Sequence, residues 1–122
     1  MGLVSSIRQL RSVNRRELAV LYRRAVLVLL TSEAEGFGLP VVEALACRAV
    51  VVASDLPVLR EVGGDGVVYC PVAGVNCWVE TVNRLLAHPD AAPDRATRIA
   101  QSRRFSWEKH AETILNAYQG LL

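Results

Sequence analysis

Three short apolar runs, VLVLLT (26–31), AVVVA (49–53) and VVYCP (67–71), constrain this chain more than any other feature. Each is shorter than a typical helix, and none alternates polar with apolar residues as a half-exposed strand does. Continuous apolar runs of this kind suit strands covered on both faces. Helical patterns stand between them, which argues for helical crossovers and a parallel sheet. SIRQL (6–10) reads as a weaker first strand, giving about four parallel strands. The expected fold class is α/β, with helices flanking that sheet.

The helical segments carry their own punctuation. In NRRELAVLYRRA (14–25), Leu18, Leu21, Tyr22 and Ala25 repeat at helical spacing, and Asn14 with Glu17 predicts an N-cap and its acidic partner. Pro40 suits the first turn of a helix running to about Cys47, because a missing N–H costs nothing there. SDLPVLREVGGDG (54–66) offers Ser54 or Asp55 as a cap, Pro57 in the first turn and a glycine-rich exit. Val75, Trp78, Val79, Val82, Leu85 and Leu86 form one apolar stripe, stopped by Pro89. Pro93 opens a shorter helix ending near Arg104. Ser106 caps the last helix, with Trp107, Ala111, Ile114, Leu115 and Tyr118 on one face and Gly120 beyond its end. With no repeat or linker, residues 1–122 are expected to form a single unit.

Composition removes several function classes. Apolar residues make up 52% of the chain and charged residues 21%, which is globular rather than disordered. The net charge is only +2, and the fourteen cations, all arginine except Lys109, are scattered, so no nucleic-acid footprint is expected. His88 and His110 lack metal-ligand spacing to cysteines or carboxylates, so no metal is expected. Cys47, Cys70 and Cys77 form no CxxC pair. Cys47 and Cys70 lie in apolar surroundings, which suits buried thiols in a reducing, cytoplasmic compartment. No apolar run approaches the roughly 18 residues of a membrane span. Arg8 and Arg11 interrupt any signal-peptide pattern.

The chemistry concentrates in SEAEGFGLPVVEALACRAVVVASD (32–55). Its EGFG turn follows the C-terminal end of an apolar strand and opens a helix. In open α/β sheets ligands bind outside those strand ends, and a helix N-terminus there suits phosphate. Gly36 and Gly38 let backbone approach a ligand without side-chain obstruction. Glu43 is the only polar residue between Leu39 and Cys47, on a stretch apolar all round, so burial is expected for it. Either it complements the helix dipole, or it accepts from vicinal hydroxyls of a ligand, as a ribose presents. Glu35 in the loop offers the same chemistry to a sugar.

The longer stretch SEAEGFGLPVVEALACRAVVVASDLPVLREVGGDG (32–66) resembles the donor-binding segment of the family 4 (group 1) glycosyltransferases. Their mark is a glutamate, seven residues and a second glutamate, with Gly-Phe-Gly after the first. Glu35, Gly36, Phe37, Gly38 and Glu43 match it. LAVLYRRAVLVLLTS (18–32) and FSWEKHAETILNAY (105–118) look like the family's neighbouring segments, and IRQLRSV (7–13) resembles its preceding strand and loop. The resemblance implies a partial Rossmann-like domain, part of the C-terminal domain of a two-domain GT-B enzyme. It implies sugar transfer from a nucleotide-diphosphate donor with retention and without a required cofactor or metal.

Carried over by position, Glu43 would bind the donor ribose and Glu35 the transferred sugar. The backbone of Phe37, Gly38 and Leu39 would meet sugar hydroxyls and phosphate. Ser32 falls where the family has serine in a structural role, and Glu61 matches a recurrent glutamate expected to fix a loop. Arg48 and Arg11 stand where the family has glycine, and Val50 where it has proline; both arginines are expected beside the cleft, weakening donor binding. The family's acceptor domain and the first half of the donor domain are expected to lie outside this chain. The chain alone is therefore expected not to turn over, and to need those parts or a partner chain. The competing expectation is a non-catalytic α/β module that self-associates through an exposed sheet edge.

Overall fold

A computed structural model describes residues 4–121. Three parallel strands, β1 (Val28–Leu30), β2 (Val51–Ser54) and β3 (Val67–Cys70), form one sheet in the order β1-β2-β3. Val28 stands opposite Val51, and Val51 opposite Val67, so one row of residues crosses the sheet in register. The α/β class with a parallel sheet and flanking helices is as expected, but the strands number three rather than four. Residues 7–10 have no ladder, and Ile7 and Leu10 are exposed. SIRQL contributes only two apolar residues, too little burial to hold an edge strand against solvent.

The described residues form six α-helices: α1 (Arg15–Arg24), α2 (Leu39–Ala46), α3 (Pro57–Gly63), α4 (Val75–Ala87), α5 (Arg95–Ser102) and α6 (Trp107–Gly120). Because β1, β2 and β3 are adjacent in chain order, right-handed crossovers place α2 and α3 on one face. There Val51, Ala53 and Val67 meet Val41, Ala44, Leu45, Leu59 and Val62 in the main core. Helix α5 lies over α2 and α3. The alternate residues Val52 and Cys70 face the other way, onto Leu85 of α4. That second face is unevenly covered. Leu29 of β1 is 48% exposed, so β1 is not shielded on both sides as its apolar run suggested. Val75, Val79 and Leu86 of the α4 stripe also remain exposed.

Local signals placed most helix ends. The Asn14 side chain accepts from the Glu17 N–H, and Glu17 accepts from the Asn14 N–H, both at 2.9 Å. Ser106 caps α6 through the Lys109 N–H at 3.1 Å, and Pro40 and Pro57 sit in first turns. Helix α3 differs. Leu56 is its N-cap, while Asp55 turns to pair with Arg60 and Ser54 donates to the Leu30 carbonyl at 3.4 Å. An arginine one turn into the helix outcompetes the capping role for that carboxylate. Gly120 is the last residue of α6 rather than lying beyond it.

Arg48 ends α2 in the left-handed region, with φ 70°. Its N–H donates to the Leu45 carbonyl at 2.9 Å, and that of Ala49 to Ala44 at 3.0 Å, the bond pair of a Schellman turn. Glycine adopts this conformation without the Cβ penalty. Arg48→Gly is expected to raise unfolding stability by about 1 kcal/mol, with Arg48→Ala within about 0.5 kcal/mol of wild type. Urea unfolding of the three proteins measures this; equal midpoints for the glycine and alanine variants would contradict it.

Candidate functional site

The turn between β1 and α2 stands at the C-terminal edge of the sheet, as its parallel order requires. Three contacts fix it. At its start the Ser32 hydroxyl donates to Glu35 Oε1 at 2.7 Å, so Ser32 orients the half-buried Glu35 carboxylate. At its end Gly38 is the N-cap of α2, with φ 88°. A Cβ there would stand 2.7 Å from Leu59 Cδ2, so both the backbone conformation and the contact with α3 demand glycine. Between them the half-exposed Phe37 ring meets Phe105 edge-to-face, with centroids 5.8 Å apart and planes at 84°.

Gly36 is different from Gly38. A Cβ on Gly36 would meet nothing within 4 Å, so its missing side chain leaves open space above the turn. The Val41 N–H bonds the Gly38 carbonyl at 3.0 Å, and no side chain caps α2. Leu39 is exposed, and its N–H, at the positive end of the helix dipole, meets no protein acceptor among the described residues.

Glu43 is exposed, not buried. Helix α2 buries only Val41, Ala44 and Leu45, and Glu43 lies off that stripe, about 6 Å along the axis from Leu39. Its carboxylate has no hydrogen bond or ion pair among the described residues, so no desolvation cost demands a protein partner. Its charge acts on Tyr22 of α1. Burial first, then the charges of Glu43 and Cys47, push the Tyr22 phenol above the ordinary tyrosine value. Neither Tyr22 nor Phe105 is marked in the sequence as a site residue. Tyr22 reads there as one more apolar position of α1, and Phe105 is placed only by tertiary packing.

Two other expectations change. Glu61 is exposed on α3 and holds no loop among the described residues; the bond in that region joins Asp55 and Arg60. Arg48 does not flank the turn. It follows α2, nine residues past Leu39, at the opposite edge of the sheet and about 13 Å away along the helix. Arg11 is exposed and precedes α1, with no strand before it among the described residues. No group of three or more His, Cys, Asp or Glu among the described residues is placed to hold a metal ion. No helix of the described residues is long and apolar enough to cross a membrane.

The Tyr22–Glu43 pairing has a titration signature. A raised folded-state pKa means neutral Tyr22 contributes stability below the unfolded value of about 10, lost as pH rises through the higher folded value. Glu43→Gln is expected to lower the Tyr22 midpoint, yet leave it above the ordinary value because burial is the larger cause. Tyrosine ring NMR shifts against pH measure this; an unmoved midpoint would separate the two side chains.

Comparison with known proteins now bears on the site. The family described as glycosyl transferases group 1 matches residues 2–105. A D-inositol 3-phosphate glycosyltransferase of Mycobacterium leprae is 32% identical over 124 residues, spanning 98% of this chain and 29% of that protein. The O-antigen chain mannosyltransferase B of Escherichia coli is 36% identical over 121 residues, spanning 93% of this chain and 30% of that protein. The solved structure of sucrose-phosphate synthase from Thermosynechococcus elongatus, a GT-B glycosyltransferase, superposes with a TM-score of 0.84 at 26% identity. It covers 98% of this chain and 33% of that one. The chain thus spans less than a third of the curated relatives it matches here. On the turn, the sheet and these matches together, it belongs to the group 1 glycosyltransferases.

Proposed function

We propose that the turn at 32–38 and the first turns of α2 form part of the donor site of a retaining glycosyltransferase, holding a nucleotide-diphosphate sugar. Glu43 accepts from the ribose hydroxyls and Glu35 from those of the transferred sugar. The backbone N–H groups of Phe37, Gly38 and Leu39 face sugar and phosphate, and Gly36 leaves them room. The observation that carries this is the pairing of two carboxylates, neither in an ion pair among the described residues, around an uncapped helix N-terminus at the C-terminal edge of a parallel sheet. Two carboxylates beside a bare phosphate would repel it. A ligand that turns hydroxyls to the carboxylates and phosphate to the N–H groups satisfies both.

Turnover is proposed for this segment together with the further regions that its longer relatives carry, and not for the 122 residues alone. No cofactor or metal is proposed. Calorimetric titration with UDP, GDP and ADP sugars tests the site. Binding of one donor class is expected, weakened about tenfold or more in Glu43→Gln, since a hydrogen bond to a charged group is at stake. No heat with any donor, or equal affinity in the variant, counts against the assignment.

A second reading, a non-catalytic module that self-associates, is favoured by one observation. Trp107, Leu115 and Tyr118 of α6 are 75%, 56% and 67% exposed, and β1 has a free edge. Self-association at micromolar concentration is expected in sedimentation; a clean monomer removes that reading.

A further inference from the structure

Phe37 is the middle residue of the Gly-Phe-Gly turn and is 47% exposed. The Ser32–Glu35 bond ends one residue before Gly36, and the fit of Gly38 on Leu59 begins one residue after Phe37. A Cβ added at Gly36 would meet nothing within 4 Å, so open space lies beside it. Between those two fixed points, the contact with Phe105 is the one ring contact of the turn among the described residues.

Phe105 is well placed to be the fixed partner. It packs against the main core, and its N–H donates to the Ser102 carbonyl at 3.2 Å. Helix α5, which carries Ser102, is itself anchored. Gln101 Nε2 donates to the Val62 carbonyl at 2.8 Å in a buried bond, and α5 packs on α2 and α3. On the other side of Phe105, Ser106 caps α6 and Lys109 Nζ reaches back to the Arg103 carbonyl at 3.0 Å. The junction is pinned from both ends, so Phe105 offers a fixed surface to the half-exposed Phe37 between the two fixed points of the turn.

We propose that Phe105 is a positioning residue for the Gly-Phe-Gly turn: its ring stops Phe37 and so fixes the direction of the Phe37 and Gly38 N–H groups. An edge-to-face pair suits this, because its geometry is directional where an aliphatic contact would let the turn slide. Phe105 touches no ligand in this role and acts through Phe37. The hold on the turn stands independently of the ligand; its effect on donor affinity rests on the donor-site assignment above.

Backbone ¹⁵N relaxation of the chain and of F105A, F105L and F105Y tests it. In F105A the order parameters of Phe37 and Gly38 are expected to fall from about 0.85 to below about 0.6, while those of β2 stay at the rigid value. F105Y is expected to restore them, because its ring edge is kept. F105L, which keeps apolar volume without the edge, guards against an alanine variant that fails to fold; it is expected to show the same local loss. An unchanged turn in F105L, or a loss shared equally by β2, would overturn the proposal and make Phe105 a core residue only. In titration with UDP, GDP and ADP sugars, the F105L dissociation constant is expected to rise about two- to tenfold. An unchanged constant overturns the link to affinity. A wild-type chain that binds none of them refutes the donor site, and the relaxation data still decide the hold on the turn.

Discussion

The parallel pairing of β2 between β1 and β3 governs the rest of the molecule. Parallel neighbours cannot be joined by a tight turn, so each connection must travel the length of the sheet as a helix. Strand β2 is buried on both faces, its residues pointing alternately to the α2–α3 core and to α4. A one-residue slip would exchange those two sets and bring Ser54 onto the main-core face in place of Ala53. Fixed register then fixes the ends. Every segment leaving a strand emerges at one edge, where the EGFG turn lies, and every segment returning enters at the other.

The same constraint explains how the turn is held. Helix α3 leaves β2 beside α2, and Leu59 comes to rest under Gly38. Tyr69 on β3 helps keep α3 there: its single hydroxyl proton is shared between the carbonyls of Leu59 and Gly64, at 3.1 and 3.0 Å. Burial pushes that phenol up to about 12, so it remains a donor at neutral pH. The Arg60 guanidinium lies 4.5 Å from the Tyr69 ring centroid and pairs with Asp55, tying the start of α3 to the last strand. The residues that shape the turn therefore come from three separate parts of the chain.

That dispersal decides what was legible in the sequence. The capping box at Asn14 and Glu17, the prolines in first turns and the serine cap of α6 are set by residues within a few positions of each other. Periodicity and punctuation reveal such features directly. The three strands were legible for a related reason, since continuous apolar runs have few other uses. What failed depended on distant partners. SIRQL has a strand-like pattern, yet with only two apolar residues it does not add to the free edge of β1. Glu43 sits in an apolar stretch, and only the packing of α1 and α5 on α2 decides which side is left open. Asp55 could cap or pair, and Arg60 settles it. The glutamate–glycine pattern pointed to the turn, while Phe105, nearly seventy residues on, carries no local mark of touching it.

Arg48 shows how topology changes the meaning of a substitution. Placed beside the turn in sequence, it suggests damage to a binding site. A helix between two parallel strands, however, begins at one sheet edge and ends at the other, so the two ends of α2 cannot serve the same cleft. At its actual place the guanidinium is exposed, and the cost falls on the backbone alone, about 1 kcal/mol for a left-handed residue with a Cβ. Burial of a single leucine such as Leu45 is worth about 2 kcal/mol, which exceeds that cost. The Schellman bonds from Arg48 and Ala49 are kept regardless of the side chain, so α2 still ends where β2 requires. The departure therefore bears on stability, and the chemistry of the turn does not depend on it.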